Sequence, residues 1–362
     1  MITNKVKQIH NFDQSIWLDF IDRKLIQSGG LKKLIDEDGV RGVTSNPAIF
    51  EKAISRSSDY DEQIKALKNE SNDDIFYGLA IKDIQDAADL FRPVYDESNG
   101  VDGYVSLEVS PHLARDTEGT IKQAADLWKK VDRKNVMIKI PGTAEGLQAI
   151  RRSIADGINI NITLLFGLPR YEEVTDAYIS GLEDRVAAGQ PIDHIASVAS
   201  FFLSRIDVLV DPQLEEKGHT ELQGKIAIAS AKGAYEIYKR IFGGERFKKL
   251  AAKGAKTQRV LWASTSSKNP AYKDIMYVEA LIGPETVDTI PMETLEAYRD
   301  HGEPANRLED DSDKAAQALQ KLKEAGIDID QVTQQLEDEG IEKFNKPYDK
   351  LMQAIADQKN KS

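Results

Sequence analysis

The chain has 362 residues, 41% of them hydrophobic, and a formal net charge of −12. That balance argues against a general nucleic-acid binder, because phosphate backbones call for basic surfaces, but it leaves room for a small anionic substrate held by a few local cations. The absence of cysteine excludes disulfides, thiolate chemistry and Cys-ligated zinc. The N-terminal stretch MITNKVKQIHNFDQ lacks the apolar centre of a signal peptide. No apolar run is long enough to span a bilayer, so a cytoplasmic protein without a membrane partner is expected.

Eight short apolar runs predict strands. In chain order they are SIWLDF (15–20), RGVTS (41–45), GYVSLEV (103–109), NVMIKI (135–140), NINITLLF (159–166), HIASVASFF (194–202), RVLWAST (259–265) and TVDTIPM (286–292). Helical patterns separate them, as in 117–131, 143–157 and 169–186. Two connections are long. Residues 47–102 have room for extra helices after the second strand, and 211–258 carry a long helix over 225–242. The segment from about 309 to 360 is charged and helical by pattern, and predicts a solvated face or a cover over the pocket. The most economical reading is an α/β fold, a (β/α)8 TIM barrel forming one domain over 1–362 with a C-terminal helical extension. A doubly wound open sheet is the rival, but no GxGxxG turn supports it.

Successive strand residues point to opposite faces. Ile16, Leu18 and Phe20 oppose Trp17 and Asp19; Val105, Leu107 and Val109 oppose Tyr104, Ser106 and Glu108. Val136, Ile138 and Ile140 oppose Met137 and Lys139, and Ile160, Ile162 and Leu164 oppose Asn159, Asn161 and Thr163. In a barrel the apolar face packs on the helices, so Asp19, Glu108, Lys139, Asn161 and Thr163 converge in the lumen, near the rim that carries barrel active sites. Asn46 follows strand two, and Ser200 and Arg205 lie at the end of strand six. An antiparallel sheet with one wet face gives the same alternation, although the helical spacers favour parallel strands.

A lysine in a partly dry lumen loses hydration of its charged form, which favours the neutral, nucleophilic amine. Such an amine forms a Schiff base with a carbonyl, and the iminium then acts as an electron sink for making or breaking the adjacent C–C bond. Glu108 and Asp19 are the inward carboxylates that can shuttle protons. The alternative is a structural Lys–carboxylate pair, which the accompanying amides and threonine make less economical.

The stretches GVTSNPAIFEKAI (42–54), VMIKIPGT (136–143) and NINITLLF (159–166) strongly resemble the transaldolase family, in its longer branch of roughly 360 residues. The resemblance runs from about residue 10 to 345. It implies a class I aldolase barrel that moves a dihydroxyacetone unit from a ketose phosphate to an aldose phosphate, with no cofactor and no metal. By position, Lys139 resembles the Schiff-base lysine and Asp19 the aspartate that handles donor hydroxyl protons. Glu108 resembles the general acid/base, acting through a water that Thr163 helps to hold. Asn46 resembles the residue binding the dihydroxyacetone hydroxyls, with Thr44 beside it, and Asn161 joins this substrate-binding set. Ser200 and Arg205 resemble the phosphate-site serine and arginine.

The pattern departs from shorter transaldolases after strand seven, where WASTSSKNP (262–270) stands in place of an A-S-F-R motif. Lys268 is the nearest cation, and it offers a point charge rather than a fork. Phe202 matches transaldolases, whereas related fructose-6-phosphate aldolases carry tyrosine there, which favours transfer over release of free dihydroxyacetone. The five histidines are scattered without an HxxxH or HxH pair, which argues against a metal aldolase. His112 and Arg115 fall on a loop at the rim, where local pairing is expected. Sugar phosphates are the expected partners, and monomer or homodimer both remain open. A free-dihydroxyacetone aldolase and a non-catalytic sugar-phosphate-binding barrel are the alternatives to transfer.

Overall fold

Eight strands, all parallel, close into a barrel in strict chain order. They are β1 (Gln14–Leu18), β2 (Gly42–Val43), β3 (Tyr104–Glu108), β4 (Val136–Pro141), β5 (Ile160–Leu165), β6 (Ser197–Phe202), β7 (Arg259–Ala263) and β8 (Thr286–Ile290). The structure, a computed structural model, describes residues 4–361, so the first three residues of the polar N-terminal stretch lie outside it.

All eight predicted strands are present, most of them with trimmed ends, while β1 starts one residue earlier at Gln14 and β4 runs one residue further to Pro141. β2 keeps only two residues because Asn46 turns to cap the helix Pro47–Ser55, its side chain accepting from the Ile49 N–H at 3.0 Å. β6 starts at Ser197 rather than His194. β7 stops at Ala263 because Ser264 takes a left-handed φ of 56°. β8 stops at Ile290 because Pro291, which has no N–H, precedes the helix Met292–His301.

The outward faces of the strands carry Ile16, Leu18, Val105, Leu107, Val136, Ile138, Ile140, Ile160 and Ile162, all buried. β5 needs one correction. Leu164 does not continue the outward row, because the strand bulges between Ile162 and Leu165 and Leu164 adopts a φ of 55°. Its side chain meets the C-terminal helix at Gly340, where an added Cβ would lie 2.9 Å from the leucine Cδ2.

The floor of the barrel is closed by Trp17 and a charge cluster. Asp102 accepts from Ser15 Oγ at 2.7 Å and from Arg259 Nη2 at 2.9 Å. Gly42 is required beside Trp17, since a Cβ there would approach the indole to 2.6 Å.

The helices between strands follow the predicted segments: Thr117–Val131, Ala144–Ala155 and Leu168–Ala187. The long insertion after β2 includes the helix Asn72–Glu97, and Ile226–Phe242 is the long helix before β7. The C-terminal segment forms Ser312–Glu324 and then a 33-residue helix, Ile329–Lys361. On that last helix Val332, Leu336, Ile341, Phe344, Tyr348, Leu351 and Ile355 are buried. Their spacing of three to five residues makes one apolar stripe. It packs against Pro47–Ser55 and Asn72–Glu97 and crosses the C-terminal mouth of the barrel. Among the described residues, no helix is long and apolar enough to cross a membrane.

Candidate active site

Register brings the central residues together. Glu108 on β3 pairs with Lys139 on β4, and Lys139 pairs with Asn161 on β5, so the three form one row across the lumen. Nζ of Lys139 lies 3.5 Å from a Glu108 carboxylate oxygen and donates to the Ser45 carbonyl at 3.1 Å. Both side chains are almost fully buried. Burial pushes the Glu108 carboxyl up to about 7, against the opposing charge of Lys139. Neither Glu108 oxygen has a hydrogen-bond partner, and the same is true of Thr163 Oγ1 on β5. Most buried polar atoms in folded proteins are paired, so three free acceptors around one lysine leave room for a ligand or a water.

Asp19 lies one residue beyond β1, and its N–H still continues the ladder to the Ile290 carbonyl at 2.8 Å. Its carboxylate accepts from Thr44 Oγ1 at 2.7 Å, and Thr44 in turn meets Thr289 Oγ1 at 2.7 Å. Burial raises its pKa, and Lys139 and the Thr44 hydrogen bond oppose that rise.

Asp19, Thr44, Asn46, Lys139, Ser200, Phe202, Arg205 and Lys268 all line one cavity of about 270 Å³ at the C-terminal mouth. Asn46 uses Oδ1 to cap the following helix, which leaves its amide nitrogen to meet a ligand. Asn161 and Thr163 are fully buried beneath this cavity and do not line it. Asn161 donates to Ser106 Oγ at 3.0 Å and accepts from Ser200 Oγ at 2.7 Å. The hydroxyl proton of Ser200 is therefore directed to Asn161, inside the lumen.

The cationic end of the cavity is formed by Arg205 and Lys268. Arg205 Nη1 is buried without a hydrogen-bond partner, and the guanidinium sits 5.9 Å from the Phe202 ring centroid. Lys268 is held at the rim by Ser266 Oγ at 2.5 Å. Burial lowers the pKa of both cations. Phe202 is packed against Phe166 in a tilted arrangement, with ring centroids 5.2 Å apart.

Several lining residues were not singled out from sequence. Thr289 is the register partner of Trp17, so it faces the lumen, and the alternation in TVDTI carries that signal. Its neighbour Asp288 pairs with Ile16 and faces outward, where both carboxylate oxygens lack partners and burial pushes its pKa up to about 8. Lys343, Phe344 and Pro347 come from the C-terminal helix. That segment therefore covers the pocket rather than lying free in solvent. His112 and Arg115 pair with it, to Asp349 at 2.7 Å and to Asp338 at 2.5 Å. Among the described residues, no group of three or more His, Cys, Asp or Glu is placed to hold a metal ion.

The description Transaldolase/Fructose-6-phosphate aldolase belongs to the family profile that matches residues 16–355. The chain belongs to the transaldolase/fructose-6-phosphate aldolase family. It is 49% identical over 376 residues to a curated transaldolase of Trichodesmium erythraeum, covering 100% of this chain and 99% of that protein. It is also 49% identical over 365 residues to a transaldolase of Saccharopolyspora erythraea, covering 99% of each. A third relative, transaldolase 2 of a Nostoc species, is 48% identical over 371 residues, covering 98% of this chain and 97% of its own. Family members of this likeness are enzymes of the transferase class, and the (β/α)8 barrel agrees with that membership.

Proposed function

We propose that this protein is a transaldolase that carries its donor fragment on Lys139. The donor is a ketose phosphate, sedoheptulose 7-phosphate or fructose 6-phosphate. The acceptor is an aldose phosphate, glyceraldehyde 3-phosphate or erythrose 4-phosphate. The reaction belongs to the non-oxidative pentose phosphate pathway, in the cytoplasm, and needs no cofactor. The observation that carries the reading is the buried Lys139–Glu108 pair at 3.5 Å, with Lys139 opening onto a cavity whose far end is cationic.

The Lys139 amine attacks the C2 carbonyl of the ketose, and the carbinolamine loses water to give an iminium. A Glu108 poised near neutrality exchanges the protons of that dehydration, through a water shared with Thr163 Oγ1. The C3–C4 bond then breaks. Its electron pair moves into the iminium to give an enamine, the C4 hydroxyl proton passes to Asp19, and the aldose leaves. The acceptor aldehyde enters, the enamine carbon adds to it, and the steps reverse. Asn46 and Thr44 are placed at the wall beside Asp19, where the dihydroxyacetone hydroxyls would lie, while Arg205 and Lys268 take the phosphate. Ser200, on the cavity lining, donates to Asn161 in the row that holds the lysine.

An aldolase that releases free dihydroxyacetone is the second reading. Phe202 speaks against it, since a phenyl ring on the wall offers no hydroxyl to position water. A coupled assay with fructose 6-phosphate and erythrose 4-phosphate tests the proposal. We expect transfer, and borohydride with fructose 6-phosphate present should fix a three-carbon adduct on Lys139. Full activity in Lys139→Ala would end the Schiff-base reading, and equal turnover without acceptor would favour the aldolase.

A further inference from the structure

The C-terminal helix, Ile329–Lys361, brings an aromatic ring over the lysine. Phe344 lies on the wall of the cavity with its ring centroid 6.0 Å from Nζ of Lys139, and the residue is only 8% exposed. The helix that carries it is tied down on several sides of the mouth. Tyr348 donates to Asp73, His112 meets Asp349 at 2.7 Å, Arg115 meets Asp338 at 2.5 Å, and Arg170 meets Glu337 at 3.3 Å. The Phe76 ring packs edge-on against Tyr348, with centroids 5.7 Å apart. Each polar tether is worth little on its own, but together with the apolar stripe they fix where the Phe344 ring sits.

Resting on the transaldolase reading above, the fragment left on Lys139 after the aldose departs has two fates. In transfer, C3 of the enamine attacks the acceptor aldehyde. In release, C3 takes a proton to re-form the iminium, and water adds at C2. The resulting carbinolamine then collapses, its C–N bond breaks with the electron pair leaving on nitrogen, and the amine and dihydroxyacetone separate. Both fates end with a water adding at the carbon bonded to Nζ, in transfer when the product iminium is hydrolysed; only release first needs a proton at C3 of the waiting enamine, which solvent water would deliver. An apolar ring held over the lysine keeps solvent water away from the waiting enamine, so that C3 meets the acceptor aldehyde before it meets a proton.

We propose that Phe344 sets the ratio of transfer to release by shielding the lysine-bound fragment from water. It acts by exclusion and touches no proton, so it is a shielding residue rather than a catalytic one. The sequence carries no local mark of it, since a phenylalanine on an amphipathic helix reads as core.

The test measures two rates in the full-length enzyme: dihydroxyacetone formed from fructose 6-phosphate without acceptor, and product formed with erythrose 4-phosphate. Phe344→Ala should raise the release-to-transfer ratio by about tenfold or more, and Phe344→Leu, which keeps most of the bulk, by less than about threefold. Phe344→Val should fall between them. Loss of packing alone lowers both rates together and leaves the ratio flat. A ratio unchanged across the variants that circular dichroism finds folded overturns the proposal; should the alanine form not fold, the valine and leucine forms carry the same comparison. A wild-type enzyme that makes neither product overturns the transaldolase reading instead, which keeps the two failures apart.

Discussion

Glu108 and Lys139 are register partners on adjacent parallel strands, and their charged ends meet 3.5 Å apart inside a closed barrel. The contact is longer than a hydrogen bond, and neither Glu108 oxygen has another partner. A pair built for stability would be closely bonded and satisfied on all sides. This one leaves an acid/base group free beside an amine.

Replacing Glu108 by Gln keeps the shape and removes the proton exchange. We expect kcat to fall on the order of 10²-fold or more. The pH profile should change too. Glu108 titrates at about 7, so the wild-type kcat profile should bend near that pH, and the Gln variant should lose the bend. An unchanged kcat would remove Glu108 from the mechanism.

Asp19→Asn should separate the two halves of the reaction. The asparagine still accepts from Thr44, so the wall is preserved, but it takes no proton from the C4 hydroxyl. Schiff-base formation at Lys139 should persist while bond cleavage slows by about 10²-fold or more. Mass spectrometry after borohydride trapping then finds the intact six-carbon phosphate on the lysine. Finding the three-carbon fragment at the wild-type rate would contradict this role.

Arg205→Ala should act on phosphate binding. Its Nη1 has no hydrogen-bond partner within the protein, and burial already disfavours its charge. Loss of the side chain should therefore leave stability unchanged within about 1 kcal/mol, or raise it. KM for fructose 6-phosphate should rise by about 10²-fold, while an unphosphorylated acceptor such as glyceraldehyde is affected far less. Equal losses on both substrates would place Arg205 outside the phosphate site.

Asp288 predicts a pH dependence of stability that has no counterpart in activity. Burial raises its carboxyl from 3.8 to about 8 in the folded chain, where it faces outward from β8. The folded state therefore holds the proton more tightly than the unfolded chain does. Its contribution is fully present below pH 3.8, declines as pH rises through the window up to about 8, and is flat above that. Urea unfolding of Asp288→Asn should show a shallower loss of stability between pH 5 and 8 than the wild type. Parallel curves for the two proteins would show that Asp288 is ionised in the fold.

Period-two alternation is a local property, so it survives in the sequence. It placed Lys139, Glu108 and Asn161 on one face, and register then set them in one row. The same alternation would have separated Thr289 from Asp288 had it been followed into β8. It failed at Leu164, where a bulge reverses the face and no residue in the stretch announces a left-handed backbone. Asn161 shows a further limit: parity put it in the lumen, but only the structure shows that it lies buried behind the cavity wall, accepting a hydrogen bond from the wall residue Ser200.

By itself the sequence determined the order of eight strands, the inward set of polar residues and the family to which the chain belongs, because strand periodicity and short motifs are written within a few residues. Only the tertiary structure decided how the pocket is roofed. Phe344 reaches Lys139 because the barrel closes and the last helix lies across its mouth. That placement depends on ion pairs and apolar contacts between segments far apart in the chain. A contact of this kind leaves no spacing to read, since each partner follows the rules of its own helix or strand and the geometry that joins them exists only once the ring is shut.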